Sequence, residues 1–280
     1  METKRPNAGA ERAADLRQRA ARALRAGDAG SAEALARQSL AANPQDRGAL
    51  YLLGLALLGL GRSADAVEPL QAAAQGNPDP AVETNLATAL AQSGREKEAL
   101  EWLARAASRE PPFAPAFVRL GRLLHIRGRI VEAKAALQRA VELAPEDGDA
   151  LLAYADALTD LGESRAARIV YTQALGVRPG WTQAQQGIVR TLMDEANFEA
   201  PIAMLRRLAA REPKEVSILL DLAYCLQEAG RLEEALAIYG RAAETDPRAY
   251  KKALHSLIGA ARGTFWLRPS VAAKKLPHRD

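Results

Sequence analysis

The sequence predicts an all-α protein, an α-solenoid of about seven helix-turn-helix units closed by a C-terminal capping helix. The first sign is a period: Pro44, Pro78, Pro111, Pro145, Pro179, Pro213 and Pro247 follow one another at 34 residues, with one gap of 33. A period in that range marks a stacked array in which each unit buries its apolar face on its neighbours. The second sign is composition. Apolar residues make up 48% of the chain but aromatics only 5%, alanine and leucine dominate, and no β-branched run alternates at period two. The third is the text between the marks: "GRLEEALAIYGRAAETDP" (230–247) has the layout of "GRIVEAKAALQRAVELAP" (128–145) and "GRSADAVEPLQAAAQGNP" (61–78).

Each element of a unit has its reason. With the proline counted as position 32, glycine stands at position 15 in six units, at Gly27, Gly61, Gly94, Gly128, Gly162 and Gly230. A glycine there adopts positive φ without a Cβ clash, ends the first helix and reverses the chain into the second. Proline ends the second helix by pushing its predecessor out of the α region. Position 8 is small in six units (Ala20, Gly54, Ala87, Gly121, Ala155, Ala223), and position 20 is alanine in six (Ala32, Ala66, Ala99, Ala133, Ala167, Ala235). Large residues flank them at positions 11 and 24, as in Leu57 with Leu70, Leu158 with Tyr171 and Leu226 with Tyr239. Small against large at helical spacing lets two antiparallel helices approach closely.

This pattern resembles the tetratricopeptide repeat family, whose signature has a small residue at 8, alanine at 20, a bulky residue at 24, alanine at 27 and proline at 32. The resemblance covers about residues 13–247 and implies a right-handed solenoid with units near 13–46, 47–79, 80–113, 114–147, 148–181, 182–215 and 216–249. The chain departs from the family in lacking its tryptophan at position 4 and in placing Ala36 at a bulky position. The sixth unit departs most. Ala196 replaces the turn glycine, with Asn197 expected in the left-handed position, and Pro201 stands at the alanine site, where it fits only in the first turn of a helix. Two readings of that unit are open: simple divergence, or a hinge between units one to five and unit seven.

Residues 1–12 are polar and read as a disordered arm, followed by a first helix near 13–26. After Pro247, Leu254, Leu257, Ile258 and Ala261 share one face, so a capping helix is expected over 250–262. Residues 263–280, "GTFWLRPSVAAKKLPHRD", match no repeat and form a basic, aromatic tail.

Chemistry finds little purchase. No glycine-rich phosphate loop, HExxH or CxxC occurs, and His125, His255 and His278 are scattered. Asp156 and Asp160 share a helix face, but no partners for metal or acid–base work accompany them. Cys225 is the only cysteine, so it forms no internal disulfide and reads as a buried, inert thiol. The expectation is a protein that is not an enzyme and uses no cofactor and no metal. No leader or membrane-length apolar run is legible, which makes the cytoplasm the default location, and the Ala/Arg/Leu-heavy usage suggests a bacterial GC-rich genome.

Charge is uneven. Residues 141–249 hold 18 acidic against 11 basic side chains, whereas residues 250–280 hold 7 basic and 1 acidic. The acidic stretch would repel phosphates, so nucleic-acid binding is disfavoured. Within the resemblance, first helices line a concave groove through positions 2, 5, 6, 9, 12 and 13. These carry Tyr51, Leu52 and Leu55; Thr84, Asn85 and Thr88; Arg119, Arg122 and His125; Asp149, Asp156 and Asp160; Gln183, Gln186, Arg190 and Asp194; and Asp221, Tyr224, Gln227 and Glu228. Asn85 is expected to bond a ligand backbone through both amide groups, and Arg119 with Arg122 offers an anionic contact. The five-residue carboxylate clamp of chaperone-binding relatives is matched only by Asn85 and Arg119, so that assignment fails. The expected function is a scaffold that holds a protein or peptide segment in this groove, with basic segments preferring the later units. Two alternatives stand beside it: an accessory subunit for a separate enzyme such as a sulfotransferase or glycosyltransferase, and a membrane-surface adaptor acting through the tail. Phe265, Trp266 and Leu267 are expected either to dock in the acidic half of the groove or to pack on the capping helix.

Overall fold

The computed structural model describes residues 8–76 and 79–258. Among these residues there are fifteen α-helices and no strand, in two compact bodies, Met1–Pro145 and Glu146–Asp280. The first body holds α1 (Ala8–Arg25), α2 (Ala29–Ala42), α3 (Arg47–Gly59), α4 (Ser63–Ala74), α5 (Pro80–Gln92), α6 (Glu96–Ala107), α7 (Ala114–Ile126) and α8 (Ile130–Leu143). The second holds α9 (Gly148–Asp160), α10 (Ser164–Val177), α11 (Thr182–Asp194), α12 (Glu199–Arg211), α13 (Val216–Glu228), α14 (Leu232–Thr245) and α15 (Pro247–Ile258). Each body is a short α-solenoid of stacked helix pairs. The divergent pair α11–α12 lies inside the second body, and the division falls at Pro145–Glu146.

Helix α1 begins at Ala8, within the stretch whose polar composition marks a disordered arm. Ala8, Ala10, Ala13 and Ala14 are strong helix formers and Glu11 sits in the first turn, where the macrodipole favours an acid. Most of the first helices are capped by an acidic side chain: Asp28, uniquely, caps a second helix, while Asp46, Asp79, Asp147 and Glu215 accept from backbone N–H groups of α3, α5, α9 and α13. These bonds satisfy donors that no helical turn can reach.

The turns follow the glycine rule and show where it is broken. All six turn glycines have φ between +71° and +84°. At Gly61 the reversal is sealed by Gly61 N–H to Leu58 O (3.0 Å) and Arg62 N–H to Leu57 O (2.8 Å), the paired bonds of a Schellman ending. In the divergent unit the left-handed residue is Ala196 itself (φ +56°), not Asn197. Ala196 N–H bonds Met193 O and Asn197 N–H bonds Leu192 O, so the ladder demands the left-handed state at the residue that follows the helix cap. Asn197 instead accepts from Ala200 N–H at the start of α12. Alanine therefore carries a Cβ penalty that glycine would not. Ala196→Gly is expected to raise the unfolding free energy by about 1 kcal/mol, read as a denaturant midpoint shift at unchanged m-value.

The small positions work by contact. A Cβ on Gly54 would lie 2.4 Å from Leu70 Cγ, and one on Gly121 2.4 Å from Leu137 Cγ. In both pairs position 8 receives the large residue of position 24 from the same unit. Pro201 is the third residue of α12, where its missing N–H has no partner to lose. Position 4 of the third unit, where the family pattern wants a bulky aromatic, carries Glu83, fully buried. Its carboxylate takes Arg109 in a two-pronged contact (2.8 and 3.2 Å) and Arg105 Nε at 2.9 Å. Arg105 in turn stacks on Trp102, 5.0 Å from the ring centre.

The last helix starts earlier than the sequence suggests. Pro247 opens α15 rather than only closing α14, because φ is preset for the first helical position and the absent N–H is an orphan there anyway. Ala249, Ala253 and Leu257 are buried against α13 and α14. Gln227, read from sequence as a groove residue, is fully buried: its Nε2 donates to Ser256 O (3.0 Å) and its Oε1 accepts from Tyr239 (3.3 Å), pinning α15 in place. Residues 259–262 of the expected capping helix lie outside the described residues.

Candidate functional site

In the first body the sequence-predicted residues lie on α3, α5 and α7. Tyr51 and Asn85 are brought together, with Asn85 Nδ2 donating to Tyr51 OH and to Ala81 O, both at 2.9 Å. Because a carbonyl can only accept, the amide nitrogen must face Ala81, and both its protons are spent. The two-sided amide contact expected of Asn85 is thus reduced to its carbonyl oxygen. Thr88 donates to Thr84 O on its own helix (2.9 Å). Leu55 is half-buried on α3, and on α7 Arg119 is exposed while Arg122 and His125 are half-buried.

The second body assembles more. Tyr171, on α10, donates its single proton to Asp156 Oδ1 on α9 (2.6 Å). Arg190 on α11 then donates from Nη2 to both Tyr171 OH (3.1 Å) and Asp156 Oδ1 (3.2 Å). Burial and the Asp156 charge both raise the Tyr171 phenol far above its ordinary range, so it stays a donor at any working pH. The pairing of small with large explains why this tyrosine is there. Its ring is fully buried over Gly187 of α11, where a Cβ would lie 2.2 Å from the ring. Only the hydroxyl reaches the polar face.

Around this triad sit groups from the neighbouring first helix. Asp221 on α13 is half-buried and its carboxyl is raised to about 6, chiefly by burial, with Arg190 pulling the other way. Tyr224, one turn on, meets Phe198 edge to face with centroids 5.7 Å apart. Gln186 of α11 bonds Ser217 of α13 across 3.2 Å, and Asp160 ends α9 in the field of Arg190. Asp156, Asp160, Arg190 and Asp221 therefore share a neighbourhood made by α9, α11 and α13, and Tyr224 lies one turn along α13 from Asp221. Tyr171 was missed from sequence as a member of it, because its spacing marks only core; the signal was a polar-tipped residue at a position that leucine fills in four other units (Leu70, Leu103, Leu137 and Leu205).

The raised Asp221 has a stability consequence. A carboxyl whose folded value exceeds its unfolded one favours the fold below pH 4 and loses that advantage as pH rises through 6. Asp221→Asn is expected to stabilise the protein by about 1.5 kcal/mol at pH 7.5 and to have no effect at pH 3.5, as read by urea unfolding at the two pH values.

Other sequence expectations are also placed. Cys225 is buried and its thiol is pushed up to about 12 by burial, then by Asp221 and Glu228, which removes the thiolate needed for nucleophilic work. Among the described residues no group of three or more His, Cys, Asp or Glu is placed to hold a metal ion, and no helix is long and apolar enough to cross a membrane. Phe265, Trp266 and Leu267 lie outside the described residues.

Comparison with family models places tetratricopeptide repeats at residues 17–81, 80–105, 124–190 and 192–258. Among solved structures, the chain is similar to one titled "Functional Characterization of Pseudomonas Aeruginosa pilF", with a TM-score of 0.65 at 18% identity over 74% of this chain and 95% of that one. It is also similar to YrrB, titled a TPR protein with an unusual peptide-binding site, with a TM-score of 0.60 at 19% identity over 68% of this chain and 98% of that one. Similarity to the APC/C hetero-tetramer Cut9-Hcn1 has a TM-score of 0.66 at 14% identity, over 85% of this chain and 48% of that one. At these identities the likeness is one of fold. A comparison with curated protein sequences found no match.

Proposed function

Because the chain belongs to the tetratricopeptide repeat family, we propose that it is a non-catalytic interaction scaffold whose second body receives a basic segment of a protein partner on the face formed by α9, α11 and α13. The observation that carries this reading is the joining of Asp156 and Arg190, from two first helices, to one buried tyrosine, with Asp221 of a third first helix in the field of Arg190. A side chain held by a buried ring and two hydrogen bonds loses little further entropy on binding, so such a face is pre-organised. Beside the Arg190–Asp156 pair this face carries the carboxylates of Asp160, Asp221 and Glu228, the acidic groups that a cationic segment would meet, and Tyr224 as its aromatic contact. YrrB, of like fold, is described as binding a peptide, which supports the class of ligand and not its identity.

The test is capture from native lysate by full-length protein and by the Asp160→Lys, Glu228→Lys variant. Both positions lie at helix ends, where a cation agrees with the macrodipole, so the variant should fold. The reading predicts at least a tenfold loss of captured partner and a loss that grows at low salt. Equal capture by both proteins would contradict it.

A further inference from the structure

The first body carries a groove that the proposed function leaves unused. It lies between the second helices α2 and α4, over α3, and encloses about 770 Å³, a volume within the range of built ligand sites. Its floor is a stripe of α3: Leu50, Leu53 and Leu57 stand at i, i+3 and i+7, with Pro69 of α4 beside them. Leu50 and Leu53 are only half-buried. The matching groove over α13, between α12 and α14, holds about 390 Å³, and the equivalents of Leu50 and Leu53 there, Leu219 and Leu222, are buried. The open floor thus belongs to this unit and is not a property of the repeat.

The charges on the rim divide into a closed set and an open one. Where α2 and α4 begin, Glu33 of α2 takes Arg62 across the gap (2.7 Å) and Arg37 of its own helix (2.5 Å), and Arg62 also holds Asp65 (2.7 Å). Two acids and two bases are spent on each other there. Arg47 and Glu68 also line the groove, and neither has an ion-pair or hydrogen-bond partner among the described residues. Arg47 stands at the other end, its guanidinium against the backbone of Gly76, where a Cβ would meet Nη2 at 2.4 Å. Glu68 precedes Gly76 by eight residues, about 12 Å along the α4 direction at ~1.5 Å per residue. Next to it Pro69 has no N–H, so the Asp65 carbonyl lacks the donor that another residue would supply. A receptor for an anion and a receptor for a cation therefore stand about two helical turns apart along an apolar trough.

We propose that the groove between α2 and α4 is a second binding site, which seats an amphipathic helix of a partner protein. Its apolar stripe lies on Leu50, Leu53 and Leu57, an acid meets Arg47, and a base two turns away meets Glu68. A floor with i, i+3, i+7 spacing is the stripe on which one helix packs another, and α2 and α4 form the walls that a docked helix needs. The charges set its register, since a like charge opposite either Arg47 or Glu68 repels. The site is independent of the face on the second body, and with both occupied the chain joins two partners.

The test uses the full-length protein and synthetic peptides of about 15 residues with apolar side chains at i, i+3 and i+7, stapled because so short a helix is marginal in water. One peptide carries Glu and Lys two turns apart, the second carries Lys at both places and the third Glu at both. Binding is read by fluorescence anisotropy. Expected is saturable binding of the Glu/Lys peptide, about fivefold tighter than of either other. Arg47→Glu is expected to turn the preference to the two-Lys peptide, and Glu68→Lys to the two-Glu peptide. Both positions are exposed, so the variants should fold, and unfolding would not switch a preference. No binding to the wild type, or a preference that neither substitution moves, would overturn the proposal. Equal binding of an unstapled peptide with a central proline would overturn it in favour of an extended segment. A dimer in sedimentation equilibrium that Arg47→Glu dissociates would overturn it in favour of a second copy. None of these results touches capture of a partner by the second body, so the two readings fail separately.

Discussion

Gly187→Ala is expected to lower the unfolding free energy by about 3 kcal/mol, although alanine is the better helix former by about 1 kcal/mol. The new Cβ would stand 2.2 Å from the Tyr171 ring, which is fully buried and tied at its far end. The ring has no free volume to retreat into, since protein interiors are packed to crystal density. It must leave its rotamer, and with it the hydroxyl leaves Asp156 and Arg190. The effect is therefore double: lost stability in urea unfolding, and lost order on the polar face of α9 and α11. Tyr171→Leu in the same background removes the clash. The double-mutant cycle between positions 171 and 187 is expected to show a coupling of about 2 kcal/mol. A coupling within error of zero would mean that the two residues do not touch.

Glu83→Ala is the second large effect, a loss of about 3 kcal/mol. The carboxylate is fully buried and takes three contacts from Arg105 and Arg109. Its removal opens a cavity at a packing position and strips two guanidinium groups of their acceptor. The cost stays at the low end for a broken buried pair because both arginines reach water, with side-chain exposures of 52% and 27%. Glu83→Leu separates the two contributions, since it keeps the volume and loses only the charge. It is expected to recover more than half of the loss, because a well-packed hydrophobe often matches a buried ion pair. A leucine variant as unstable as the alanine one would assign the stability to the ion pair itself.

Those two residues also show what the sequence did and did not reveal. Gly61 and its equivalents are legible because each performs one local task, a left-handed turn, that few other residues perform without strain. The same rule misled at Ala196, where hydrogen bonding from Asn197 to Leu192 fixed which residue turned left, whatever its side chain preferred. Spacing assigned Asp156 and Arg190 to one face of the first helices but did not give their arrangement, since that depends on Tyr171 reaching past Gly187 from a different helix. A pattern of positions encodes which face a residue takes, and not which polar tip crosses to it. Gln227 failed for the reverse reason. Its position faces the groove in an open array, but α15 covers it and takes its hydrogen bond.

The account stands or falls on where a partner makes contact. A photo-crosslinking amino acid placed singly at Asp160 and at Gln186, on first helices of the second body, is compared with the same residue at Arg207 and at Lys214, exposed outside that face. Native lysate is irradiated with each protein, and captured polypeptides are sequenced at the crosslinked residue. The account predicts discrete adducts through positions 160 and 186, on lysine- or arginine-rich segments, and none through 207 or 214. Adducts that form equally at all four positions, or only at 207 and 214, would contradict it.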